Sequence, residues 1–507
     1  MSPKGDDNVM AYISISNPAF PTRPRQRSKW GCLTCRKRRK KCNERRPRCA
    51  DCSRHSLNCT WPDQGSARIS VTVASIESSP PKGSSPSGWK KRHDTSHPLS
   101  LVVPPNTRPC GLKSTLEQAL FHHFIQDFLP LLVHPEAHPG FSDLHELYAT
   151  GLQHPWIMET FLAMASLHIS QISNSLDTVA YNYYNTAIGV VRRKIESGDV
   201  EGTEDWLLAS TVFFYLFEEW SANVSSNLMH HLEAAAQLFK LRRARGFSVE
   251  SSSTTLAFHR VVAESFLYHV ATMSLLHEDL NRLSAKFSWA DLEYGLNSVP
   301  FPDASTTANS PIIGQNPGLY QLMFDITRLS SLVPLQGDDY LEALKYQDEL
   351  RKWSSTNRVA IDEQGAEFVF SDALYIISLQ IFLLKLLYPE ILTSNPHIQL
   401  LIQRAIVLIR GSLGTTTNSI HLCWPIFILA CSIDSPADML LLKEKLVELW
   451  KGSLCGQVRR WATVIGRMWK VKEEMSNKGI VTVDSFNCSD GLDLLIHRKS
   501  FLSDLKI

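Results

Sequence analysis

One segment near the amino end constrains this chain more than any other. Between Cys32 and Cys59 the spacing Cys-x2-Cys-x6-Cys occurs twice, at Cys32, Cys35 and Cys42 and again at Cys49, Cys52 and Cys59. In each Cys-x2-Cys pair, two intervening residues bring both sulfurs round a single turn onto one metal ion. The competing use of six cysteines is a disulfide framework, which belongs to oxidising compartments and small secreted domains. Met1 to Ser28 holds no apolar run of signal-peptide length, so a reducing compartment and metal-bound thiolates are expected. Two tetrahedral zinc ions need eight metal–sulfur bonds. Six sulfurs provide them only if two bridge, and symmetry points to the equivalent first cysteines, Cys32 and Cys49.

Charge sharpens the picture. The whole chain of 507 residues carries a net +2, but residues 1–113 hold 22 Lys and Arg against 7 Asp and Glu, whereas residues 114–507 hold 30 against 43. Only the first part suits a polyanion. Inside the cysteine segment Arg36, Lys37, Arg38, Arg39, Lys40 and Lys41 form an unbroken cationic run. Such a run can be a solvated helix face or a nuclear-import signal. On a metal-locked scaffold it fits phosphate binding, where each neutralised phosphate releases counterions.

In its cysteine spacing, its intervening residues and Pro47, two before Cys49, this segment resembles the fungal Zn2Cys6 binuclear-cluster DNA-binding domain. The resemblance implies two Zn2+ per chain, six ligands (Cys32, Cys35, Cys42, Cys49, Cys52, Cys59) and a nuclear transcription regulator. It also implies a short helix after the first cysteine pair, lying in the major groove of double-stranded DNA and reading a CGG-type triplet. The reading positions correspond to Arg38 and Arg39, whose guanidinium forks suit guanine O6 and N7. Arg36 and Lys41 correspond to positions that hold the phosphate backbone. Lys37 and Lys40 are left unassigned. A triplet is a short address, each read base pair adding only about 1–3 kcal/mol of discrimination, so a homodimer or a partner regulator is expected.

Residues 1–28 read as a disordered basic arm, 29–62 as the cluster domain and 63–113 as a flexible Ser/Pro-rich linker without a sustained heptad. From Ser114 the pattern turns helical. Ser114-Thr115-Leu116-Glu117 has the form of a capping box, and Leu116, Leu120, Phe124 and Phe128 recur at four-residue steps. Pro155 suits a helix's first turn. Further helical segments are expected near 177–196, 204–219, 226–244, 254–278, 317–332, 339–354, 367–388, 397–411, 420–432, 436–451 and 456–475, while strand-like alternation is scarce. The expected fold class is therefore mainly α: a small zinc cluster, a linker and a large all-α regulatory domain over 114–476, followed by a tail over 477–507. His154-Pro155-Trp156-Ile157-Met158, Met164-Ala165-Ser166-Leu167-His168 and Trp424-Pro425-Ile426-Phe427-Ile428 resemble the fungus-specific transcription-factor regulatory domain of the sterol-uptake-control type. That resemblance implies a small apolar effector as a candidate ligand.

Other function classes find little support. The most apolar stretch, Ala373 to Tyr388, is short of the roughly 20 apolar residues of a span and includes Gln380 and Lys385, so no membrane is expected. His134 and His138 stand four apart, but Pro135 opposes the helix that would aim both at one zinc. Glycine-rich phosphate loops and the G-x-S-x-G elbow are absent, and no catalytic role is expected. In the tail, Asp484, Phe486, Asp490, Leu492, Asp493, Leu494 and Leu495 mix acid with bulky apolar groups, suiting either an activation segment or a last helix docked on the core. The sequence thus reads as a sequence-specific regulator of RNA polymerase II genes. Its alternative is a metabolite-sensing or cofactor-docking helical receptor for which DNA contact is a tether.

Overall fold

The computed structural model describes residues 32–38, 42, 48–55, 57–60 and 112–497, apart from 143, 174, 222–226, 247–251, 276–282, 284–285, 315–316, 365, 412–419 and 478–490. The chain separates into two compact units, one with the cysteine segment and one with the helical region. The cysteine unit contains two single-turn helices, α1 (Leu33–Lys37) and α2 (Ala50–Arg54). Among the described residues, five buried cysteines form its interior and the hydrophobic residues packed on them are Leu57 and Cys59. Apolar burial on that scale cannot hold a fold, so the sulfurs must.

The helical unit begins with α3 (Thr115–His123), where Ser114 Oγ accepts the Glu117 N–H at 3.1 Å. The return bond lands one residue earlier than a capping box would place it, with the Lys113 N–H donating to Glu117 Oε2. The other carboxylate oxygen accepts from the Tyr183 hydroxyl at 3.4 Å, which draws the side chain past Ser114. After α3 the turn from Phe124 to Phe128 widens into a π-helix. A four-residue repeat drifts around an ordinary 3.6-residue helix, and the wider turn keeps it on one face. Phe124 thereby stacks on Phe128 and on Phe161, with centroids 5.7 and 4.5 Å apart.

There follow α4 (Leu144–Gln153), α5 (Pro155–Ser170), α6 (Asp177–Glu196), α7 (Asp205–Trp220), α8 (Asn227–Arg245), α9 (Ser253–Met273), α10 (Pro317–Leu329) and α11 (Gly337–Gln364). The last are α12 (Ala366–Leu387), α13 (Pro396–Gly411), α14 (Cys423–Ser432), α15 (Pro436–Ser453), α16 (Gly456–Asn477) and α17 (Gly491–His497). No strand occurs among the described residues, and the mainly α fold class is the one observed. α4 is not among the segments expected from the sequence, and Gly151 lies in its last turn. A Cβ at Gly151 would lie 2.7 Å from Met158 Cε, so the glycine serves close packing of α4 on α5.

The most enclosed helices are α5, which packs on α6 and α7, and α14, which packs on α12, α16 and α17 and has all ten residues buried. The stretch Phe370–Leu387 in α12 is long and apolar enough to cross a membrane, yet most of it is buried inside this unit. Its Lys385 is fully buried and meets Asp493 of α17 at 2.8 Å. Leu492, Leu494, Leu495 and Ile496 are buried beside that aspartate, and a Cβ at Gly491 would lie 2.5 Å from Cys431 O and from Met468 Sδ. Of the two uses the tail composition allowed, the structure shows the docked helix for 491–497. Removing one member of a buried ion pair strands the other charge. Asp493→Ala is expected to cost about 3–5 kcal/mol in denaturant unfolding of the full chain, and the double change Lys385→Met with Asp493→Leu to recover most of it.

Several histidines are buried in the neutral state. His168 lies between His123 Nε2 at 2.9 Å and Ser453 O at 3.0 Å. Burial, with His123 alongside, lowers His168 to about 4. Burial likewise lowers His231 and His259 to about 4 and His421 to about 3. An unfolded histidine titrates near pH 6.5, so on acidification the unfolded chain takes up protons first. This contribution to stability is full above about pH 6.5 and is lost as the pH falls from there toward 4. Urea midpoints measured between pH 7 and pH 4.5 should fall accordingly, and His168→Asn should make the dependence shallower by about one proton.

Candidate metal centre and nucleic-acid interface

Each half of the cysteine motif opens a helix with a thiol. Cys32 Sγ accepts the Cys35 N–H and Cys49 Sγ accepts the Cys52 N–H, both at 3.3 Å. The sulfur takes the place of a serine or aspartate cap, and the cysteine one turn later faces the same interior. The halves then meet sulfur to sulfur: Cys32–Cys49 is 3.7 Å, Cys32–Cys52 3.6 Å, Cys35–Cys49 3.5 Å and Cys35–Cys52 3.8 Å. A disulfide needs about 2.05 Å, and these cysteines are free.

The six sulfurs form two quartets whose ligand atoms all lie within 4.8 Å of one another: Cys32, Cys35, Cys42, Cys49 and Cys32, Cys49, Cys52, Cys59. Zinc at its usual 2.3 Å from four sulfurs sets them about 3.8 Å apart, so the Cys32–Cys49, Cys32–Cys52 and Cys35–Cys49 separations match tetrahedron edges. Cys32 and Cys49 belong to both quartets, the arrangement of two tetrahedra with a common edge. The donor set therefore fits a pair of zinc ions. Without that charge the thiols resist ionising together. Burial raises Cys35 and Cys52, the latter to about 12. Cys49 is lowered to about 6: against the same desolvation, the Cys52 N–H and the neighbouring thiols hydrogen-bond to it. Bound zinc supplies the positive charge that lets thiolates share this volume.

Hydrogen bonds close the unit around the sulfurs. The Leu33 N–H donates to Thr60 O at 2.8 Å, Thr34 Oγ1 donates to Asn58 O at 2.6 Å, and the Cys49 N–H donates to Cys59 Sγ at 3.3 Å. Arg48 Nη2 reaches Leu57 O at 2.9 Å. Of the expected DNA-contacting residues, Arg36 lies in α1, and its side chain is outside the described residues, as are Arg39 and Lys41 altogether. Arg38 is exposed in the turn that ends α1, with its N–H on Thr34 O at 3.1 Å. Its Nη1 pairs with Asp51 Oδ2 at 2.8 Å, a partnership that no local sequence signal marks.

The histidine pair weighed as a second metal site serves local turns. His134 Nδ1 accepts the Glu136 N–H at 3.3 Å and His138 Nδ1 accepts the Gly140 N–H at 3.1 Å. Among the described residues the two sulfur quartets are the groups that could hold a metal.

Cys49 serves both quartets and Cys35 only one. Native mass spectrometry of zinc-loaded full chain should therefore find Cys49→Ala with less zinc than Cys35→Ala, and both below two ions per chain.

Comparison with known proteins places these features among relatives. Residues 30–68 match the fungal Zn(2)-Cys(6) binuclear cluster domain and residues 119–493 the fungal specific transcription factor domain. The zinc cluster transcription factor CZF1 of Candida albicans is 62% identical over 40 residues, 8% of this chain and 10% of that protein. Transcription factor lfc1 of Flammulina velutipes is 40% identical over 110 residues, 20% of this chain and 38% of its own length. Pestheic acid cluster transcriptional regulator 3 of Pestalotiopsis fici is 46% identical over 64 residues, 11% and 10% of the two chains. The matched segments thus span from a tenth to under two fifths of these relatives. No solved structure matches the chain.

Proposed function

Since the chain belongs to the fungal specific transcription factor domain family, matched over residues 119–493, we propose that it is a nuclear, sequence-specific DNA-binding regulator of RNA polymerase II transcription. The observation that carries this reading is the pair of sulfur quartets sharing Cys32 and Cys49. They tie α1 and Arg38, in the turn that ends it, to α2. A cationic turn held in this way enters the major groove with less ordering cost than a free basic peptide. Cys32, Cys35, Cys42, Cys49, Cys52 and Cys59 hold the two zinc ions. Arg38 and Arg39 read a CGG-type triplet, and Arg36 and Lys41 grip phosphates. A second copy or a partner regulator extends the address beyond one triplet. The family covering most of the chain is one of transcription factors, which supports a regulatory rather than a catalytic role for the helical unit.

A receptor role for that unit is the second reading. The observation favouring it is that the indole N–H groups of Trp424 and Trp461, both buried, donate to no acceptor among the described residues. A small, mainly apolar effector with one acceptor oxygen would satisfy either. Retained small-molecule binding after deletion of residues 1–62 would support it.

Selection of bound duplexes from a random pool by the zinc-loaded full chain should return CGG, together with the half-site spacing. Arg39→Ala should then cost about 1–3 kcal/mol of discrimination at one base pair, whereas Lys41→Ala should weaken all duplexes alike and lower the salt slope by about one. Indifference to sequence in the selection would refute the proposal.

A further inference from the structure

The two halves of the cluster match residue for residue at the sulfurs but differ two positions after each shared cysteine, where one half has Thr34 and the other Asp51. Both side chains reach across the unit. Thr34 Oγ1 holds the end of the cysteine segment at Asn58 O, whereas Asp51 Oδ2 holds the Arg38 guanidinium at 2.8 Å. The same oxygen lies 3.8 Å from Cys35 Sγ, and the other oxygen lies 3.8 Å from His55 Nε2. Asp51 is thus fixed by α2 on one side of the sulfurs and acts on the turn ending α1 on the other.

A carboxylate is an unexpected occupant of this surface. The segment from Cys32 to Cys59 carries ten Lys and Arg, and Asp51 is one of its two acids. Near a phosphate backbone a negative charge weakens binding to every duplex alike. The ion pair gives little stability in return, since both side chains are partly exposed and such pairs contribute little. Orientation is what it does provide. A guanidinium reads guanine through two parallel N–H bonds in a fixed plane. A carboxylate on one edge of the fork sets that plane and stops the side chain from wandering to the nearest phosphate.

We propose that Asp51 is a specificity-determining positioning residue: it holds Arg38 in the orientation that reads a base, at the expense of overall affinity. This rests on the DNA-binding reading given above. Asp51 acts through Arg38 and makes no base contact of its own. The trade has a definite sign, since losing the carboxylate makes the chain bind more duplexes and distinguish them less.

The test uses zinc-loaded full chain, a duplex carrying CGG, its single-base variants and an unrelated duplex, across a range of salt. Asp51→Ala is expected to lower preference at one triplet position about tenfold. It should also tighten binding to the unrelated duplex at low salt, with zinc unchanged at two per chain. Asp51→Asn, which keeps an acceptor without the charge, should fall between Asp51→Ala and the parent. In an Arg38→Ala background, Asp51→Ala should change base preference no further. Unchanged preference in Asp51→Ala, additive losses in the double variant, or zinc loss from both Asp51 variants would each overturn the positioning role. A parent chain with no triplet preference overturns the DNA reading itself, and this inference with it.

Discussion

Six sulfurs serving two four-sulfur sites is the constraint on which the amino-terminal unit depends. The shortfall is met by sharing, and sharing fixes geometry. Cys32 and Cys49 must approach to the length of a tetrahedron edge, and they lie 3.7 Å apart. That contact brings together two short helices that make few others and places the turn after α1 beside the start of α2. The packing of Leu57 is incidental by comparison. Metal affinity and folding are one free energy in such a unit.

The helical unit is held by different physics. α5 and α14 are enclosed by their neighbours, and aromatic stacking such as Phe124 on Phe161 fills the space between α3 and α5. One buried carboxylate in this interior is surrounded by partners. Glu264 takes the Ile312 and Ile313 N–H groups and the Ser310 hydroxyl while pairing with Arg260. Such networks resist slippage because partial satisfaction is costly in a low-dielectric core. The two units therefore respond to different conditions, one to metal supply and the other to temperature and acidity.

Much of this was legible in the residues. Coordination chemistry tolerates few spacings, so the duplicated cysteines stated their purpose without help from the rest of the chain. Periodicity and caps placed most helices, as Ser114 and Pro155 illustrate, because helix signals are local. What stayed hidden was non-local. Asp51 and Arg38 stand thirteen positions apart in sequence, and only the shared sulfurs make them neighbours. Glu117 reaches Lys113 rather than Ser114 because Tyr183, on a different helix, takes its other oxygen. The tail could not be decided from composition, since acid mixed with leucine suits exposure and burial equally. Lys385 decides it by offering Asp493 a buried partner.

That last pairing bears on how the helical unit closes. The lysine sits in a long apolar helix, and its carboxylate partner belongs to the separate helix α17. Until α17 docks, Lys385 lacks that carboxylate. The docking of one short helix is thereby a condition for the dry interior around another.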